Sequence, residues 1–149
     1  MVDLLCIAKA FRRAIENSDL TGAPGFLRDF PEGCCGWGTW FVGHYLKYEC
    51  NMEPERVFGG RSSVGEYEEH EWLELDHVII DITSDQFPGE SQPPVVVSST
   101  SDWHSEWEET KRDQVLEISS YDTSCHISNQ KPSELYAQLS AYVRSKCGT

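Results

Sequence analysis

Two strand-like runs, residues 69–75 and 78–83, stand only two residues apart, and that spacing constrains the chain more than any other feature. A two-residue connection closes a tight antiparallel hairpin and fixes which residues lie opposite each other. The connecting Asp76-His77 lacks the glycine such turns favour, but the flanking runs alternate as strands do. With Leu75 opposite Val78, Glu74 falls opposite Ile79, Trp72 opposite Asp81 and His70 opposite Thr83. One face of the hairpin then carries His70, Trp72, Glu74, Ile79, Asp81 and Thr83. His70 and Asp81 are diagonal neighbours on it, roughly 7 to 8 Å apart at Cα, a gap two medium side chains close to a hydrogen bond. An imidazole oriented by a carboxylate is the base half of a catalytic triad, and equally the form of an ordinary cross-strand polar pair.

Around the hairpin the chain reads as helices, then mainly antiparallel strands, then a helix, which is an α+β order. Residues 3–17 place Leu4, Leu5, Ala8, Phe11 and Ile15 at helical spacing, with Lys9, Arg12, Arg13 and Glu16 off the stripe. A second helix runs from about Cys34 to Lys47. Its Gly36, Gly38 and Gly43 each cost roughly 1 kcal/mol relative to Ala, so another element must approach closely there. Arg56 to Phe58 reads as a short strand, Gly59 to Tyr67 as a Gly- and Ser-rich loop, and Val95 to Val97 and Gln114 to Ser119 as further strands. Pro132 opens a final helix. No internal repeat or linker divides the 149 residues, so they form a single domain.

The start of the second helix supplies a candidate nucleophile. Free backbone N–H groups and the helix dipole lower the pKa of a thiol there, and the thiolate is its reactive form. Cys35 shares a helical face with Gly38, Thr39, Val42 and Leu46, small enough at its N-terminal end for a sheet to approach. Cys34 falls instead with Trp37, Phe41 and Tyr45, so Cys35 is the candidate.

Phe30-Pro31-Glu32-Gly33-Cys34-Cys35-Gly36, a helix ending in Tyr45-Leu46-Lys47, Arg56-Val57-Phe58-Gly59, His70-Glu71-Trp72-Leu73-Glu74 and Asp81-Ile82-Thr83-Ser84-Asp85-Gln86-Phe87 occur in that order. This succession resembles the transglutaminase-like branch of the papain-like cysteine enzymes, and within it small bacterial proteins with a Phe-Pro-x-Gly-x-Cys-Gly motif. The resemblance covers roughly residues 30 to 87. It implies a papain-like fold with N-terminal helices on an antiparallel sheet and a C-terminal helix. It also implies a Cys35–His70–Asp81 triad acting on amide bonds through a thioester, as peptidase, amidase, deamidase or transglutaminase. Trp72 and Gln86 are the substrate-binding candidates. Trp37 and Thr39 depart from the acid and serine that the similar proteins carry nearby. The alternative is a catalytically silent binding or inhibitor module on the same fold.

A formal charge of −13 disfavours nucleic acid and anionic lipid as partners, and the resemblance implies a protein or peptide substrate. No apolar run approaches the roughly 20 residues of a membrane span, and the N-terminus reverses the charge order of a signal peptide, so the expected location is cytoplasmic. The six cysteines show no regular spacing and are expected mostly as reduced, buried side chains; a Cys34–Cys35 bridge would be strained. No cofactor and no metal site are expected. Cys125-His126 and Cys34-Cys35 lack zinc spacing, and Glu66-Tyr67-Glu68-Glu69 reads as a solvated loop. His44 and His126 read as structural, and Trp103-His104 with Trp107 as a core-anchored loop.

Overall fold

In the computed structural model, which describes residues 1–25, 27–124 and 130–148, helix α1 spans Leu4–Glu16 and begins where the Asp3 carboxylate accepts the Cys6 N–H at 2.9 Å. Ile7, Ala8, Phe11, Ala14 and Ile15 form its buried stripe, while Leu5 faces solvent. Arg12, off the stripe by pattern, is buried too. Its guanidinium donates to both Asp85 oxygens at 2.7 and 2.8 Å and to the Ile82 carbonyl at 2.8 Å, pinning the segment after the hairpin to α1.

Helix α2, Cys35–His44, continues into a wide π-helical turn, Tyr45–Glu49. Its glycines lie where the sheet approaches. A Cβ on Gly38 would stand 3.0 Å from Ile82, and one on Gly43 would stand 3.0 Å from both Val115 methyls. The small-residue face therefore packs on the sheet as its pattern requires.

The strands are β1 Glu55–Ser63, β2 Glu66–Leu75, β3 Val78–Asp81, β4 Val96–Ser98 and β5 Glu108–Gln114, in the antiparallel order β4-β3-β2-β1-β5. Between β4 and β5 lies the single helical turn α3, Asp102–Ser105, and α4 spans Pro132–Cys147. Leu75 pairs with Val78, Glu74 with Ile79 and Leu73 with Ile80, the register the two-residue turn dictates. Asp76 and His77 both take positive φ, so the turn forms without glycine.

Leu73, Leu75 and Ile80 face the main core beneath α1, α2 and α4. On the opposite face Val57 and Trp72 pack with Trp103 and Trp107 in a second, smaller core. Two stretches differ from the sequence reading. Residues 59–67, read as loop, are mostly paired strand, so the acidic residues 66–69 lie in β2. Of residues 114–119, read as a strand, only Gln114 is in one: the strand is Glu108–Gln114, 115–117 are irregular and 118–119 begin a 3₁₀ segment.

Cys6 and Cys147 form a disulfide joining the start of α1 to the end of α4, with Cα atoms 5.9 Å apart, which corrects the expectation of reduced cysteines for this pair. Cys34, Cys35 and Cys50 are not disulfide-bonded. Cys125 and His126 lie outside the described residues. Among the described residues no helix is long and apolar enough to cross a membrane.

Candidate functional site

The second sheet face places His70 from β2 and Asp81 from β3 on one side, and His70 Nε2 lies 2.7 Å from Asp81 Oδ2. The same oxygen lies 2.7 Å from Nε2 of His104, carried in by α3. Asp81 Oδ1 accepts the Thr83 N–H at 2.9 Å and the Thr83 hydroxyl at 3.4 Å. One carboxylate thus gathers four groups from three segments. All three side chains are buried, with exposures of 1, 3 and 4% for His70, Asp81 and His104.

Further contacts fix the outward atoms of both imidazoles. His104 Nδ1 stands 2.6 Å from Ser101 Oγ, which also accepts the His104 N–H as the cap of α3. Gln86 Nε2 lies 3.2 Å from His70 Nδ1 and donates to the Thr83 carbonyl at 3.1 Å, while Oε1 of the same amide accepts the Gly33 N–H at 3.1 Å. Gln86, a substrate-binding candidate, therefore ties His70 to the loop before α2. The other candidate, Trp72, is 4% exposed and packs in the second core, its indole N–H donating to Glu74 at 3.3 Å. Phe87, Trp103 and Trp107 surround His70 with ring centroids 5.3 to 5.4 Å from its own, which keeps the cluster dry.

Burial pulls the His70 imidazole down, but the Asp81 charge and the hydrogen bonds the ring makes to Asp81 and Cys35 outweigh it and push the ring up to about 9. Burial pushes the Asp81 carboxyl up, yet the facing His70 charge and the bonds from both imidazoles hold it well below the usual carboxylate range. Burial pushes the Cys34 thiol up to about 12, so it stays protonated.

This arrangement corrects the expected chemistry. The cluster the fold builds is His70–Asp81–His104, with no cysteine among its members, in place of a Cys35–His70–Asp81 triad. Asp81 is divided between two imidazoles, whereas a relay uses a carboxylate to orient one base. The reading as a cysteine hydrolase or acyltransferase with a thiol nucleophile falls with the triad. No family model, curated protein or solved structure matches this chain.

Cys35 is half-buried and lines a cleft of about 330 Å³ with Phe58, Gly59, Glu69, His70, Glu71, Thr110 and Lys111. Its lining comes from the start of α2 and from β1, β2 and β5. Glu71, on the helix side, accepts a hydrogen bond from Thr39 and faces Arg56 at 3.8 Å; burial pushes its carboxyl up, partly offset by those two partners.

His104 is the member that sequence reasoning missed. It stands in a one-turn helix, too short for any periodicity, and no spacing rule links it to residue 81. The available signal was the density of Trp103, His104 and Trp107 within five residues, which marks a segment with something to bury. His70, Asp81 and His104 present potential ligand atoms within 4.8 Å of one another, a grouping the sequence reading did not bring together.

Proposed function

We propose that the protein is a binding module on a transglutaminase-like fold, holding a basic polypeptide segment in the Cys35 cleft without turning it over. The observation that carries this reading is the sharing of Asp81 between His70 and His104, which sets the imidazole beside Cys35 into a buried polar knot. The cleft supports the choice of ligand. Phe58 offers an apolar floor, and Glu69 places an exposed acidic side chain at the wall. A net charge of −13 draws basic partners from a distance and gives the association a strong dependence on salt.

Two measurements test the reading. Peptide nitroanilides and activated esters should show no turnover that disappears in Cys35→Ala. An Arg- and Lys-rich peptide should shift amide resonances of Phe58, Gly59, Glu69 and Thr110, more weakly in Glu69→Lys and at high salt. Cys35-dependent turnover would overturn the non-catalytic reading, and unshifted cleft resonances would overturn the ligand class.

A further inference from the structure

We propose that His70, Asp81 and His104 form a site for one divalent late first-row transition-metal ion, zinc being the representative, bound through His70 Nε2, His104 Nε2 and Asp81 Oδ2. The inference goes beyond the cleft reading and does not depend on it. Its first support is convergence. Three ligand atoms from β2, β3 and α3, far apart in sequence, point at one place and lie within 4.8 Å of one another.

Its second support is the shell behind them. Ligating imidazoles are held by a partner on the other ring nitrogen, and ligating carboxylates are themselves hydrogen-bonded. Here Ser101 Oγ stands behind His104 Nδ1 at 2.6 Å, and Thr83 fastens Asp81 Oδ1 at 2.9 Å. The outward atoms of His104 and Asp81 are thus anchored, and His70 Nε2, His104 Nε2 and Asp81 Oδ2 face one another. The aromatic rings of Trp72, Trp103 and Trp107 supply the apolar surround that limits solvent access to such a centre.

Donor chemistry sets the class of ion. Two imidazole nitrogens and one carboxylate oxygen suit zinc and its neighbours, whereas calcium takes six to eight oxygens and magnesium an octahedron of oxygens. Donors about 2.0 to 2.1 Å from a tetrahedral ion stand about 3.3 Å apart. From the 2.7 Å separations to Oδ2, entry of an ion spreads the donors by several tenths of an ångström. The four-residue α3 that carries His104 is the element able to yield.

Tag-free protein, stripped with chelator and dialysed, should take up one Zn²⁺ per chain by calorimetry and elemental analysis. With Co²⁺ it should develop visible absorption bands of nitrogen–oxygen coordination. His104→Ala should abolish both. Because that variant removes a buried partner of Asp81 and can fail to fold, Ser101→Ala is the companion. It leaves the donors in place and should weaken the ion about 10- to 100-fold. His77→Asn, on the exposed turn, should bind as the wild type does. A folded wild type that takes up no ion and gains no thermal stability from Zn²⁺ would overturn the proposal, and the cluster would then be a hydrogen-bonded knot alone. Uptake unchanged in both His104→Ala and Ser101→Ala would overturn it equally, by placing the ion elsewhere.

Discussion

Replacing Cys6 and Cys147 by serine removes a cross-link that ties the first helix to the last across a sequence separation of 141 residues. The loop-entropy relation assigns a closure of that length about 5 kcal/mol, nearly all of it in the unfolded chain. The native side changes little, because α1 and α4 also meet through packing: Phe11 stacks on Tyr136 at 6.3 Å, and Leu135, Leu139 and Val143 are buried in the same core as Ile7 and Ile15. For a domain of this size 1 kcal/mol moves Tm by roughly 2 to 4 °C, so the double variant should melt about 10 to 20 °C below the oxidised wild type. In urea the midpoint should fall while the slope rises, since a chain without the cross-link exposes more surface on unfolding. Wild type in reductant should melt like the variant. A loss below about 1 kcal/mol, with the wild-type bond confirmed by intact mass, would refute the argument, because a closure of this length cannot then be constraining the denatured ensemble.

Gly43→Ala should destabilise the fold. The new methyl meets both Val115 methyls at 3.0 Å and Leu73 at 3.4 Å. An overpacking cost of about 1 to 3 kcal/mol exceeds the gain of about 1 kcal/mol from helix propensity, and urea unfolding would show it. His44 should contribute a pH dependence. Burial lowers its pKa in the folded state from 6.5, and its Nδ1 accepts the Ile118 N–H at 2.9 Å. A depressed folded pKa means that the unfolded chain binds the proton first, so this stability is complete above 6.5 and is lost as pH falls from there through the folded value. Comparing wild type with His44→Asn at about pH 7.5 and about pH 5 should show the larger loss on acidification in the wild type; equal losses would refute it.

The hairpin was legible because a two-residue turn leaves one register, and that register carries the His70–Asp81 hydrogen bond. The glycines of α2 were legible as well, since a helix bears such a cost only where another surface needs the room. Residues 59–63 were not. Gly-Gly-Arg-Ser-Ser has the composition of a loop, yet it is strand because neighbouring side chains fill the space above its glycines. A Cβ at Gly59 would stand 2.8 Å from Trp107 and 2.9 Å from Trp72. Arg12 failed for a related reason. Its exposure by helical periodicity was overridden by Asp85 and the Ile82 carbonyl, partners some seventy residues away. In each case a tertiary contact decided against a local preference.

The same asymmetry governs the reading of the site. A hairpin face shows which acid an imidazole can reach, but it says nothing of what else reaches that acid from a distant segment. His70 with Asp81 is compatible with a relay, a metal ligand pair or a buried polar contact, and the sequence of the hairpin is identical in all three. What separates them is the far side of the carboxylate. A relay leaves that side to solvent or backbone, whereas here a second imidazole occupies it at the same 2.7 Å, delivered by a helix of four residues. The pair that looked like half of a triad is therefore two thirds of a different cluster. The Trp-rich segment 101–107, which reads as packing, is what makes the cluster: Trp103 and Trp107 anchor the turn in the second core and so set His104 over Asp81. Removing that anchoring, and not the thiol of Cys35, is the change that should alter the chemistry of Asp81.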